Sequence, residues 1–195
     1  MLGDKALLEQ GPNFPLPFIT KHNRAGKGLG VHLFHSYDAF SSYVRSHAFE
    51  VPVDGITLLQ EYIETPAPLI IRMEFTGGKF LYAVKINTSE GFELCPADSC
   101  GIGDQFCPAG EVAEKFEILK DFEHPLILKC EAFLKQMDVE IAGIEFIKNE
   151  DGEDFVYDLN TNMNYSRAAE IHVGVTETGM DALAAYLEDC LTKLR

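Results

Sequence analysis

The sequence is short of positive charge: 16 Lys plus Arg stand against 31 Asp plus Glu, a formal charge of -15 over 195 residues. Nucleic acid and anionic membrane both attract a basic field, so neither is expected as a main partner. The same imbalance means that any polyphosphate ligand has to be held by locally placed cations. No apolar run approaches the ~20 residues of a membrane-spanning helix, and the N-terminus lacks the basic-then-apolar form of a signal peptide. The expected location is therefore cytoplasmic. Five cysteines, an odd number in a chain that is not small, argue against a secreted disulfide framework. Repeats and low-complexity segments are absent. No exposed apolar stripe stands out from the helices, which leaves the oligomeric state unread.

What is present is a chain with 46% apolar residues, in which strand-like and helical patterns alternate. That is enough for one α+β domain or two small lobes. Residues 1–14 show little pattern. Phe18-Ile19-Thr20-Lys21 then reads as a short strand ending in a lysine, followed by the loop HNRAGKGLG and the strand Val31 to Phe34. Strand, glycine-rich loop, strand is the layout of a flap whose backbone N–H groups can wrap an anion. A glycine-rich loop is commonly only a turn, and this one lacks the Gly-Lys-Ser/Thr ending of a P-loop. Lys21, Arg24 and Lys27 cluster about it in an acidic chain, which favours phosphate.

Further on, Tyr37 to His47 has helical spacing, and Ile56 to Ile63 reads as a strand. Leu69 to Phe75 and Lys79 to Ile86 flank Gly77-Gly78 as a hairpin carrying Arg72 and Lys85. Arg72 is expected on one face with Ile70 and Glu74, either serving a ligand or paired with Glu74 or Glu61 on a solvated face. Between Glu90 and Gly110 lie Cys95, Cys100 and Cys107, with intervals too long for a paired CxxC knuckle. A structural zinc and plain thiols both fit them. Glu111 to Glu123 reads as an acidic connector. His124 to Met137 reads as a helix burying Leu126, Ile127, Cys130, Phe133, Leu134 and Met137. Thr176 to Leu194 reads as another, with Met180, Leu183, Ala184, Leu187 and Leu191 inward.

The most informative stretch runs from Ile141 to Asn164. A two-residue turn at Asp151-Gly152, suited to type I′, sets a register in which Glu150 faces Glu153, Ile147 faces Val156 and Glu145 faces Asp158. Asn160 follows on the face of Asp158. Opposed carboxylates repel unless a proton or cation lies between them, and with an amide oxygen they make a hard-cation donor set. The bland alternative is a solvated hairpin with surface acids.

In this order — lysine at a strand end, GKGLGV loop, LLQEYI, RMEF hairpin, then Glu145, Asp158 and Asn160 — the chain resembles the ATP-grasp superfamily, in its ribosomal-protein glutamate ligase and D-alanine–D-alanine ligase branch. The resemblance spans roughly Phe14 to Asn160. It implies an α+β fold of two subdomains, each an antiparallel sheet with helices: a flap-bearing one over 1–64 and a C-terminal one over 65–195. It also implies an ATP-dependent ligase that activates a carboxylate as an acylphosphate for attack by an amine or thiol. A small-molecule kinase of the same fold and a non-catalytic nucleotide-binding module are the alternatives. Carried over, Lys21 and Lys27 would meet the nucleotide phosphates beneath a flap containing Gly26, Gly28 and Gly30. Gln60, Glu61, Tyr62 and Ile63 would form the hinge beside the adenine, and Glu64 would stand in for the ribose-binding acid, whose usual place is Ile70. Glu145, Asp158 and Asn160 would hold Mg²⁺ or Mn²⁺, and Arg72 and Lys85 would lie near the phosphates. The implied partners are ATP and a small carboxylate and amine. The family's separate leading α/β domain is missing, so a fragment of a longer enzyme is expected. The acceptor side departs from the pattern at Glu93 and Asn162-Met163-Asn164.

Overall fold

A computed structural model describes residues 3–24, 30–89, 115–162 and 165–194. Among the described residues, internal contacts form two compact units that divide between Glu64 and Thr65.

In the first unit, strict alternation along β1 (Phe18–His22) buries Phe18 and Thr20 and leaves Ile19 and Lys21 on the opposite face. β1 is central in an antiparallel sheet, flanked by β2 (His32–Phe34) and β3 (Thr57–Glu61). The buried face packs on α1 (Gly3–Gln10) and α2 (Tyr37–Val44) through Leu7, Phe18, Phe34, Phe40 and Val44. Phe40 sets its ring edge-on to Phe18 and Phe34, each at 5.3 Å between centroids, a geometry favoured by the ring quadrupoles. Ser36 caps α2 by accepting from the Ala39 N–H. Helix α1 lies where the sequence shows little pattern: eight residues contributing one buried leucine are too few for a periodic signal.

The second unit is a five-stranded antiparallel sheet in the order β6-β5-β4-β7-β8. Its strands are β4 (Leu69–Thr76), β5 (Lys79–Asn87), β6 (Phe116–Leu119), β7 (Ile141–Lys148) and β8 (Asp154–Asn160). β6 lies inside the stretch expected as a connector. Met73, Phe75, Ala83, Ala142, Ile144 and Phe146 form one apolar face, covered by Cys130 and Leu134 of α3 (Pro125–Gln136). Phe133 and Met137, expected in this core, are 48% and 56% exposed. The seam runs through Leu126, Ile127, Cys130 and Leu134, and Phe133 and Met137 fall outside it.

The other face carries α4 (Arg167–Val173), which the sequence did not announce, and α5 (Gly179–Lys193). Helix α5 starts at a capping box between Thr178 and Asp181, and buries Gly179 and Ala182. Met180, Ala184, Leu187 and Leu191 are exposed, contrary to the expected inward stripe. The cause is close approach by small residues: a Cβ at Gly179 would lie 2.3 Å from the Tyr165 ring. That contact turns the leucine stripe outward. Among the described residues no helix is long and apolar enough to cross a membrane.

Candidate functional site

The β7–β8 hairpin brings the acidic pair together by a route different from the simple one. Asp154 pairs with Lys148, Phe155 with Ile147 and Val156 with Phe146, one residue off the register of a two-residue turn. The connection is wider: Asn149 N–H donates to the Glu153 carbonyl at 3.0 Å, and the Asn149 carbonyl accepts from Gly152 N–H at 3.1 Å. Of Asp151 and Gly152 only the glycine has positive φ, +82°, whereas a type I′ turn requires both. Ile147 therefore faces Phe155, not Val156, and Glu150 lies in the turn. A bulge beside Glu145/Phe146 then inserts Tyr157 and restores the offset. Beyond it Glu145 pairs with Asp158 and Gly143 with Asn160.

The bulge also re-aims Tyr157. Its hydroxyl donates to Glu145 Oε2 at 2.9 Å, and burial, reinforced by the Glu145 charge, raises its pKa and keeps it a donor. Glu145 is buried at 7% exposure, and Asn160 Oδ1 accepts from the Asn162 N–H at 2.8 Å. Two carboxylates and an amide oxygen are hard donors suited to Mg²⁺. Among the described residues no group of three or more His, Cys, Asp or Glu side chains forms a ready metal cage. A cation here would therefore draw its remaining ligands from phosphate and water, as Mg²⁺ commonly does.

Across the strand on the other side, Glu145 stands opposite Arg72. Arg72 Nε lies 2.8 Å from Glu74 Oε1, two residues along the same face. Gly143 makes this pair possible, because a Cβ there would lie 2.9 Å from Nε and 3.2 Å from Glu74 Oε2. The contact is an ion pair without hydrogen-bond alignment: Nε, Nη2 and Glu74 Oε2 have no hydrogen-bond partner among the described residues. Deeper on the same side, Glu170 of α4 accepts from Tyr82 Oη at 2.8 Å and Gly179 N–H at 2.6 Å. Glu74, Glu145 and Glu170 are thus three buried carboxylates, of which Glu74 pairs with the Arg72 guanidinium. Burial drives the Glu74 carboxyl up to about 7; Arg72 opposes this, and Glu145 and Glu170 add to it.

Lys85 does not join Arg72. An uninterrupted hairpin about Gly77-Gly78 would set Lys85 opposite Ile70, on the Arg72 face. The bulge at Glu74/Phe75 moves it opposite Ile71 instead, onto the face covered by α3. There it ion-pairs with Glu117, its cross-strand neighbour on β6.

In the first unit Lys21 is opposite Leu58, on the sheet face away from the aromatic core, and Gln60 is opposite Ile19 on that same face. Glu61 ends β3, and Tyr62 N–H donates to the Pro17 carbonyl at 3.1 Å, with Ile63 and Glu64 following. Gly30 has φ +71°, and a Cβ there would press on the His22 imidazole at 3.2 Å. Gly26, Lys27, Gly28, Cys95, Cys100 and Cys107 lie outside the described residues. Tyr157, Gly143 and Glu170 were not found from sequence. Alternation puts Tyr157 on the wrong face, and nothing local marks the other two.

No protein-family model matches the chain, and no curated protein does. Solved structures do. D-cycloserine synthetase DcsG matches with TM-score 0.63 at 13% identity, over 97% of this chain and 61% of that one. A RimK domain protein ATP-grasp from Sphaerobacter thermophilus DSM 20745 matches with TM-score 0.58 at 16% identity, over 95% and 58%. The ATP-grasp ligase PsnB, complexed with minimal precursor, Mg and ADP, matches with TM-score 0.55 at 16% identity, over 94% and 50%. The chain thus spans about half to three fifths of the length of these structures. Its element order, its two antiparallel sheets and this common likeness establish that the chain has the ATP-grasp fold.

Proposed function

We propose that the chain is the nucleotide-binding part of an ATP- and Mg²⁺-dependent ligase, which joins a small carboxylate to an amine or thiol through an acylphosphate. The observation that carries this reading is the pairing of Glu145 with Asp158, with Asn160 two residues on and Arg72 across the strand. The chemistry supplied by Mg²⁺ or Mn²⁺, when bound, would be positive charge that offsets the charge of the nucleotide phosphates. Glu145, Asp158 and Asn160 would hold the ion, and Arg72 would bind and orient the transferred phosphoryl group. Lys21 would contact the phosphates, under a flap containing Gly26, Lys27, Gly28 and Gly30. Residues Gln60 to Glu64 would receive the adenine and ribose. Flap closure would exclude water from the acylphosphate, which hydrolysis would otherwise consume. Lys85 has no part in this scheme.

Titration calorimetry with ATP tests the reading. Binding is expected with Mg²⁺, to be lost in EDTA, and to weaken roughly tenfold or more in Asp158→Asn and in Lys21→Ala. Folded protein that binds no ATP with Mg²⁺ would refute it. Phosphorylation of a hydroxyl compound without release of free phosphate would indicate a kinase instead.

A further inference from the structure

Resting on the metal site just proposed, we infer that Tyr157 sets cation specificity: it confines Glu145 to one-oxygen coordination and so selects Mg²⁺ over Ca²⁺. A carboxylate on a strand can meet a cation with one oxygen or chelate it with both. Ca²⁺ takes six to eight oxygens at about 2.3–2.6 Å and readily accepts the two-oxygen mode. Mg²⁺ requires near-octahedral geometry at about 2.0–2.1 Å, keeps water, and is served by single oxygens. Here Oε2 of Glu145 already accepts the Tyr157 hydroxyl at 2.9 Å. A cation chelated by both oxygens would share Oε2 with that O–H donor, whose proton already draws on the charge of the oxygen.

The hydroxyl has little freedom to leave. Glu145 is 7% exposed, and its strand is held between β4 and β8 in the five-stranded sheet. Tyr157 is the inserted residue of the bulge, so its direction is fixed by the same backbone feature that aligns Glu145 with Asp158. Partners of a metal's ligands orient those ligands and tune the site. Tyr157 is therefore a positioning residue, acting through Glu145.

The test compares ATP dissociation constants on the full chain, at saturating Mg²⁺ and at saturating Ca²⁺, in wild type, Tyr157→Phe and Tyr157→Met. Wild type is expected to bind ATP more tightly with Mg²⁺. Tyr157→Phe should narrow the Mg²⁺/Ca²⁺ ratio roughly tenfold, the worth of one hydrogen bond to a charged group, chiefly by gaining affinity in Ca²⁺. Tyr157→Met, whose flexible side chain also lacks the donor, should narrow it likewise if the phenylalanine variant folds poorly. A merely structural tyrosine would lower the melting temperature and scale both constants alike. A ratio within about twofold of wild type in either folded variant overturns the inference while leaving the functional reading intact. Wild type that binds ATP with neither ion overturns that reading and this inference with it.

Discussion

Replacing Glu74 by glutamine isolates the electrostatics of the buried face. Glu74 is 2% exposed, and its carboxyl is held at about 7 against an ordinary 4.5. Between those values the folded chain keeps a proton that the unfolded chain gives up. The group's contribution to stability is complete below about pH 4.5 and is lost as pH rises through about 7. A separation of about 2.5 units corresponds to a ceiling of about 3 kcal/mol, at 1.36 kcal/mol per unit. Glutamine keeps the size and polarity of the side chain beside Arg72 and does not titrate. Urea denaturation of both proteins from pH 4.5 to 8 should show the wild type losing up to about 3 kcal/mol relative to Glu74→Gln across that window. Parallel curves would mean that Glu74 is ionised throughout, and that Arg72 alone neutralises it. A difference growing in the opposite direction would refute the sign of the argument.

Arg72→Ala should weaken Mg²⁺-ATP binding about tenfold or more, whereas Lys85→Ala should leave it within about twofold, as read by titration calorimetry. Equal losses would mean that the bulge at Glu74/Phe75 is not present in solution. Gly179→Ala should cost about 1–3 kcal/mol by thermal denaturation, because its Cβ meets the Tyr165 ring at 2.3 Å, and Tyr165→Ala should relieve most of that cost. Leu134→Ala, at 0% exposure, should cost about 2–5 kcal/mol, while Leu191→Lys, at 62% exposure, should stay within about 0.5 kcal/mol. A large loss from Leu191→Lys would show that the outward stripe of α5 is covered in solution.

Much of the site's address was legible from local pattern. Alternation along β1 separates Lys21 from Phe18 and Thr20, and alternation along β4 joins Arg72 to Glu74. The pairing of Glu145 with Asp158 was also read, though through two offsets that cancel: a wider turn and a one-residue bulge. At the β4–β5 hairpin the turn is as expected and only a bulge intervenes, so the offset stands and Lys85 changes face. The same kind of irregularity keeps Glu145 opposite Asp158 at one hairpin and sets Lys85 opposite Ile71 at the other. A bulge depends on cross-strand packing and not on the identity of the residue inserted, so neither was visible beforehand.

The sequence by itself determined the periodicities, hence the strands, the principal helices and the residues able to donate oxygen or positive charge. Those properties reside in single residues and their near neighbours. Only the tertiary structure decided which way α5 turns, that Gly143 yields its volume to an arginine, and that Tyr157 reaches Glu145. Each of these depends on what a distant segment places within a few ångströms, and side-chain spacing along the chain carries no record of that.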